Sequence, residues 1–154
     1  MAKKASAHDG MLMLQLYDLR REAEMRKARN WFVVEFWPQR VDDFMSVINA
    51  VGSQENNWFR QVSGYWDMAA SLVLQGALHD DLFLQPGCSG EMFFIFAKVN
   101  PFLKELRQKM NHPDYLANIE NAATGSKLAR KRLERVSAMV DARRKQMGKA
   151  GKKN

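Results

Sequence analysis

The residues from Ser53 to Gly76, SQENNWFRQVSGYWDMAASLVLQG, constrain the fold more than any others, because their aromatic side chains require a covering layer. At about 100° per residue, Trp58, Val62, Tyr65, Ala69, Leu72 and Val73 share one side of a helix, with Phe59 and Trp66 along its edge. Arg60, Gln61, Ser63, Asp67, Ser71 and Gln75 take the other side. Both ends are marked: the Ser53 hydroxyl suits the free amides of a first turn, and Gly76 suits the left-handed residue that closes a helix. The spacing predicts a central helix with other helices packed around it.

The flanking segments supply that cover. Asp9 is read as the cap of a long first helix running toward Trp37, ended by Pro38, which excludes the helical conformation for the residue before it. Leu14, Tyr17, Met25, Ala28 and Phe32 form one face of it, and Leu12, Leu16, Leu19 and Ala23 a second strip, so it is expected to have two neighbours. NWFVVEFW is apolar nearly all round, which makes a strand the competing reading. A lone strand would leave its backbone groups unpaired, and the chain offers it no partner, so helix is preferred. Val41 to Val51 reads as a short helix closed by Gly52, with Val41, Phe44, Val47 and Ile48 inward.

Beyond Gly76 lies a connector with a short helical turn at Asp80 to Phe83 and a loop at Gln85 to Gly90. Ser89 is read as the cap of a helix from Met92 to Val99 that is apolar on most sides and therefore deeply buried. Pro101 kinks that helix or begins the next, which carries Phe102, Leu103, Leu106 and Met110, and Pro113 opens another with Tyr115 and Ile119 inward. Thr124, Gly125 and Ser126 make a break before a last helix from Lys127 to Met147, with GKAGKKN frayed. The expected fold is all-α, a single-domain irregular bundle of six or seven helices with a long N-terminal helix and a basic C-terminal helix. Its expected divisions are a disordered N-terminus at 1–8, the bundle at 9–123 and a basic helical tail at 124–154.

A chain of 154 residues has the length of one domain. Its one cysteine, Cys88, excludes an internal disulfide framework and fits a reducing, cytoplasmic compartment. The N-terminus MAKKASAHDG lacks the apolar stretch of a secretory signal, and nothing approaches the roughly 18 to 20 apolar residues of a membrane span, so no membrane insertion is expected. The net charge of +7 is unevenly placed. From Thr124 onward there are eleven Lys and Arg against Glu134 and Asp141, so the bundle itself is slightly acidic.

Patterns that carry chemistry are weak. His8, His79 and His112 are far apart, and in His79-Asp80-Asp81 adjacent side chains are expected to diverge, so no metal is assigned. Cys88 stands near a helix start, where amides lower a thiol pKa, but the sequence supplies neither a base nor a phosphate-loop arginine for it. Gly87 and Gly90 fit none of the phosphate-binding patterns, and Leu72 to Leu84 lacks the basic recognition helix of a helix-turn-helix. Asp42 and Asp43 read as first-turn charges, and Asp67 as half of a surface ion pair. Trp31, Trp37, Trp58 and Trp66 read as core rather than as a ligand box. No catalytic residue and no cofactor is assigned.

The last helix carries the main functional signal. Ala129, Leu133, Val136, Val140 and Met147 repeat at spacings of three, four and seven, a thin seam that either lies along the bundle or receives another protein. Leu133, Val136 and Val140 are the candidate partner seam. Around them Lys127, Arg130, Lys131, Arg135, Arg143 and Arg144 could neutralise phosphates without reading sequence. The tail lacks the aromatic residues that stack on single strands or sink into lipid. The expected role is a non-enzymatic protein-interaction or regulatory module, with self-association included. The alternative is nonspecific nucleic-acid binding by the tail.

Three stretches, LYDLRREAEMRKARNWF, GYWDMAASLVLQGALHDDLF and FFIFAKVNPFLKELRQKM, follow one another in a recognisable order. Together, over Leu12 to Ala122, they resemble a group of small bacterial helical domains of unknown function. The resemblance implies an all-helical fold and brings no activity or site residue with it.

Overall fold

The computed structural model describes residues 3–151, and every regular element among them is helical. The first, α1 (Ala7–Leu19), is capped by Ser6 rather than Asp9. The Ser6 hydroxyl accepts from the Asp9 amide, and the Asp9 carboxylate accepts from the Ser6 amide at 2.7 Å. The Ser6 hydroxyl and amide together hold the Asp9 carboxyl down to about 2. Of the stretch 1–8 expected to be disordered, residues 1–2 lie outside the described residues. Ala7 and His8 are helical, and the Lys3 carbonyl meets His79 Nε2.

The continuous first helix divides at Arg20 to Glu22. There the Glu22 carboxylate accepts from the Met25 amide at 2.9 Å and starts a separate helix, α2 (Ala23–Asn30). Arg20 is buried at this break between the rings of Tyr17 and Trp66, 5.1 and 5.2 Å from their centroids. The residues of each apolar strip are thus shared between two helices. Of NWFVVEFW, Asn30 to Glu35 are helical as expected but widened, and Phe36 and Trp37 lie beyond the helix: α2 runs into a π turn, Trp31–Glu35, in which the Phe36 amide reaches back five residues to the Trp31 carbonyl. Next comes α3 (Val41–Asn49), followed by Gly52 at φ +88°.

The central helix α4 (Gln54–Leu74) has the ends read from its sequence. Ser53 Oγ accepts from the Asn56 amide at 3.1 Å, and Gly76 sits at φ +73°. Its buried arc is rotated, however, and passes through Asn56, Phe59, Val62, Ser63, Trp66, Ala69 and Ala70, leaving Trp58, Tyr65, Leu72 and Val73 half-buried. The cause is a pair of neighbours: α4 packs against α2 and also against α8 (Ala117–Thr124). Ser63, expected outside, is enclosed and donates to the Phe59 carbonyl at 2.7 Å, an internal bond that makes its burial tolerable.

After the short α5 (Asp80–Phe83), α6 (Pro86–Val99) starts a turn before the expected Ser89 cap, because Pro86 takes the first helical position, where no amide is needed. Ser89 is fully buried within it. Pro101 lies in a 3-10 turn, Asn100–Phe102, that leads into α7 (Leu103–Met110). Pro113 falls in a turn instead of opening a helix, and α8 follows Leu116, itself at φ +56°. Ser126 caps α9 (Lys127–Ala150), which runs past Met147. Of the expected frayed end, residues 152–154 lie outside the described residues.

Asp67 does not form the expected surface ion pair. It caps α8 from across the core: Oδ1 accepts from the Ile119 amide at 3.2 Å, and Oδ2 from the Asn118 side chain at 2.9 Å. A carboxylate on the first-turn amides satisfies both a free donor and the helix dipole. Asp67→Ala should lower stability by about 1–2 kcal/mol, read as a fall in the midpoint of thermal or urea unfolding, while Asp67→Asn, which keeps an acceptor, should lose less.

Candidate functional site on the C-terminal helix

The inner side of α9 packs against α6 and α8. Ala129 and Val140 are buried, and Leu133 and Val136 rest on the core cluster. The seam Leu133, Val136 and Val140, offered above to a partner, is therefore used within this chain. The apolar sides of α6 and α8 need cover, and α9 supplies it.

The basic residues divide between two sides. Arg144 leaves the phosphate-contacting set. Its side chain is 13% exposed, and its guanidinium donates to the Lys98 carbonyl at 2.9 Å and to Asp141 at 2.7 Å while lying 5.2 Å over the Phe102 ring. Lys127, Arg130, Lys131, Arg135 and Arg143 are exposed. Arg130 donates to the Thr124 carbonyl at 2.7 Å, closing the end of α8, and Arg143 donates to Gln146 at 3.3 Å.

Arg132, which the sequence reading did not single out, is half-buried, with its guanidinium 5.5 Å over the Phe93 ring. Nη1 is shut off from water and has no acceptor among the described residues. Burial, and secondarily the charge of Arg135, press its pKa below the ordinary arginine value. Together with Pro86, Leu128, Lys131 and Arg135 it lines a groove of about 310 Å³ between the start of α6 and the first turns of α9. The signal was present in the spacing 128, 131, 132, 135, which puts one leucine and three cations on one side of a helix.

His79, Asp80 and Asp81 converge where divergence was expected: one ligand atom from each lies within 4.8 Å of the others. These are the residues that could hold a metal. His79 already has neighbours, since its amide donates to Asp9 at 2.8 Å and its Nδ1 lies 3.5 Å from Asp80. Cys88 is a free, half-buried thiol in the first turn of α6. Asp42 pairs with Lys109 at 2.9 Å, and Asp43 accepts from the amides of Gln39 and Arg40 ahead of α3. Among the tryptophans, Trp31 and Trp66 are buried. Trp37 and Trp58 are half-buried, and Trp58 borders a shallow depression with Arg26, Lys27 and Glu35.

Two ionisable side chains on α6 were also missed. Glu91 accepts from Arg29 at 2.6 Å and from the Trp66 indole at 3.1 Å, joining α2, α4 and α6. Lys98 is 0% exposed; its Nζ donates to the Phe32 carbonyl at 2.6 Å and lies 3.9 Å over the Trp37 ring. That carbonyl is available because the π turn sends the Phe36 amide to Trp31 instead. Burial, reinforced by the charge of Arg144, lowers the Lys98 pKa to about 7. The hint in the sequence was a lone lysine inside the run FFIFAKV.

Residues 5–126 match a family described as a domain of unknown function, DUF4760. The chain belongs to that family. No curated protein and no solved structure matches it. The DUF4760 match takes in α1 through α8 and stops at Ser126, the cap of α9. Glu91 and Lys98 thus lie inside the matched region, whereas the groove straddles its edge, with Pro86 inside and Leu128, Lys131, Arg132 and Arg135 beyond.

Lys98 makes stability depend on pH with a definite sign. Its folded pKa of about 7 lies below the 10.5 of the unfolded chain, so between these values the unfolded state holds a proton that the native state has released. Stability from this group should rise as pH goes up through that interval, and it is lost as pH falls through 7. Thermal melts from pH 7 to 9.5 should show this rise in the wild type and not in Lys98→Met. A difference between the two proteins that stays flat with pH would mean that Lys98 keeps its proton when folded.

Proposed function

We propose that this DUF4760 domain is a non-enzymatic interaction module that binds a protein partner, a second copy of itself included, through the outer face of α1. One observation carries the reading. Met13 and Leu16 fix α1 to the body, yet Met11, Leu14, Tyr17 and Leu19 on the same short helix are 61%, 70%, 51% and 56% exposed. Met11, Leu14 and Tyr17 follow one another at three-residue steps, the spacing of anchors on an amphipathic helix seated in a partner's groove. The occupation of Glu91, Asp67 and His79 by contacts that hold the fold together also supports a binding role over a chemical one.

Sedimentation velocity and affinity capture test this with Met11→Glu and Leu14→Glu, exposed positions whose change should leave folding intact. Self-association or capture by the wild type should fall sharply in both variants. Retention of a partner by the variants at the wild-type level would reject the α1 surface.

A second reading, nonspecific nucleic-acid binding, is favoured by the exposed cations of α9. Lys127, Arg130, Lys131, Arg135 and Arg143 form no ion pair among the described residues. Arg144 is not among them, being committed to Lys98 and Asp141. A mobility-shift titration of a DNA duplex should then weaken steeply with salt, by roughly 0.9 log units per log unit of salt for each phosphate contact, and replacing Lys127, Lys131, Arg135 and Arg143 by Gln should flatten the slope. A duplex left unshifted at low salt would remove this reading.

A further inference from the structure

We infer that the groove between the start of α6 and the first turns of α9 binds a phosphate monoester, with Arg132, Arg135 and Lys131 on the phosphate and Leu128 and Pro86 against its carbon substituent. The groove is lined by donors and apolar surface: Lys131, Arg132 and Arg135 bring three cations, and no carboxylate is among the lining residues described. Like charges gathered on one turn of a helix repel one another, and an anion between them would relieve that repulsion and pair with all three.

Arg132 carries the argument further. Its guanidinium is held over Phe93, and Nη1 is closed off from water with no acceptor among the described residues. That desolvation destabilises the charged guanidinium, and an anion on its groove side would offset the cost. Pro86, at the start of α6, closes the other side of the groove with ring carbons rather than an N–H. Leu128 is 52% exposed beside these cations, a floor for the non-phosphate part of the ligand. A volume of about 310 Å³ holds a small organic phosphate.

The inference is independent of the α1 surface, and it differs from polyanion binding along α9 because it requires saturation by a single small molecule. The phosphate could belong to a free metabolite or to the headgroup of phosphatidic acid, and two arms of one experiment separate these sources. In the first, phenyl phosphate is titrated into the full chain at constant ionic strength and followed by calorimetry or by amide chemical shifts. Saturable binding is expected, weakened about tenfold or more by Arg132→Gln and by Arg135→Gln and unchanged by Arg143→Gln, which removes the same charge elsewhere on α9. In the second, retention on phosphatidic acid vesicles over phosphatidylcholine vesicles, lost in the same two variants and seen without phenyl phosphate binding, assigns the phosphate to lipid.

Loss of binding that is equal in Arg143→Gln, or failure of both arms, overturns the proposal. Circular dichroism reports whether Arg132→Gln folds. Should it not, the exposed Arg135→Gln and Lys131→Gln carry the comparison in its place.

Discussion

Helix α6 is the constraint from which the arrangement of the other helices follows. Met92, Phe93, Ile95, Phe96, Ala97, Lys98 and Val99 are all buried, and Phe94 is half-buried, so the second half of the helix is enclosed on nearly every side. A helix that is apolar all round is stable only if neighbours close on every side of it. Here α9, α8, α5, the 3-10 turn and the π turn do so. The chain's irregular path, with short helices and tight turns between them, is the consequence of wrapping one largely enclosed rod with segments of unequal length.

Enclosing α6 also fixes what must meet its polar groups. Lys98 would be very costly inside an apolar core without an acceptor, and the chain supplies one by widening the end of α2 into a π turn that frees the Phe32 carbonyl. At the other end of the helix, Glu91 is held by Arg29 from α2 and by the indole of Trp66 from α4. These two contacts set the register of α6 against the N-terminal helices more sharply than side-chain packing alone, since each bond is lost if the helices slide by a residue. Arg144 then completes the shell from α9 by donating to the Lys98 carbonyl.

The class of fold was legible because it rests on local patterns. Ser53 and Gly76 mark the ends of α4 by chemistry that acts within a turn, and the apolar run of α6 declares its own burial. What escaped depends on distant neighbours. Ser63 looks outward on a helical wheel, yet it is buried on a helix that packs against both α2 and α8; Asp67 looks like a surface acid, yet its partners are an amide and an asparagine some fifty residues away in sequence. The break at Arg20 to Glu22 was hidden by strong helix-forming residues on both sides, because a carboxylate cap and two aromatic rings around Arg20 outweigh propensity there. The candidate site was half visible. The cations of α9 are plain in the sequence, but which of them face inward is decided by where α6 lies.

That decision also explains why a groove exists at all. Ala129 near one end of α9 and Val140 with Arg144 near the other are fixed against the body, so the helix has no freedom to rotate about its own axis. With this rotation set, Leu128, Lys131, Arg132 and Arg135 must fall on the flank that faces Pro86 at the start of α6. Mutual repulsion of the three cations opposes this placement, but it is worth only about a few tenths of a kcal/mol per exposed pair, whereas burying the inner apolar side chains is worth about 1.5–3 kcal/mol for each large one. Packing therefore dictates where the charges stand. The same hydrophobic cover that completes the core beyond the matched family region gathers Lys131, Arg132 and Arg135 on one flank, so the packing of α9 alone sets up a cationic groove beside Pro86.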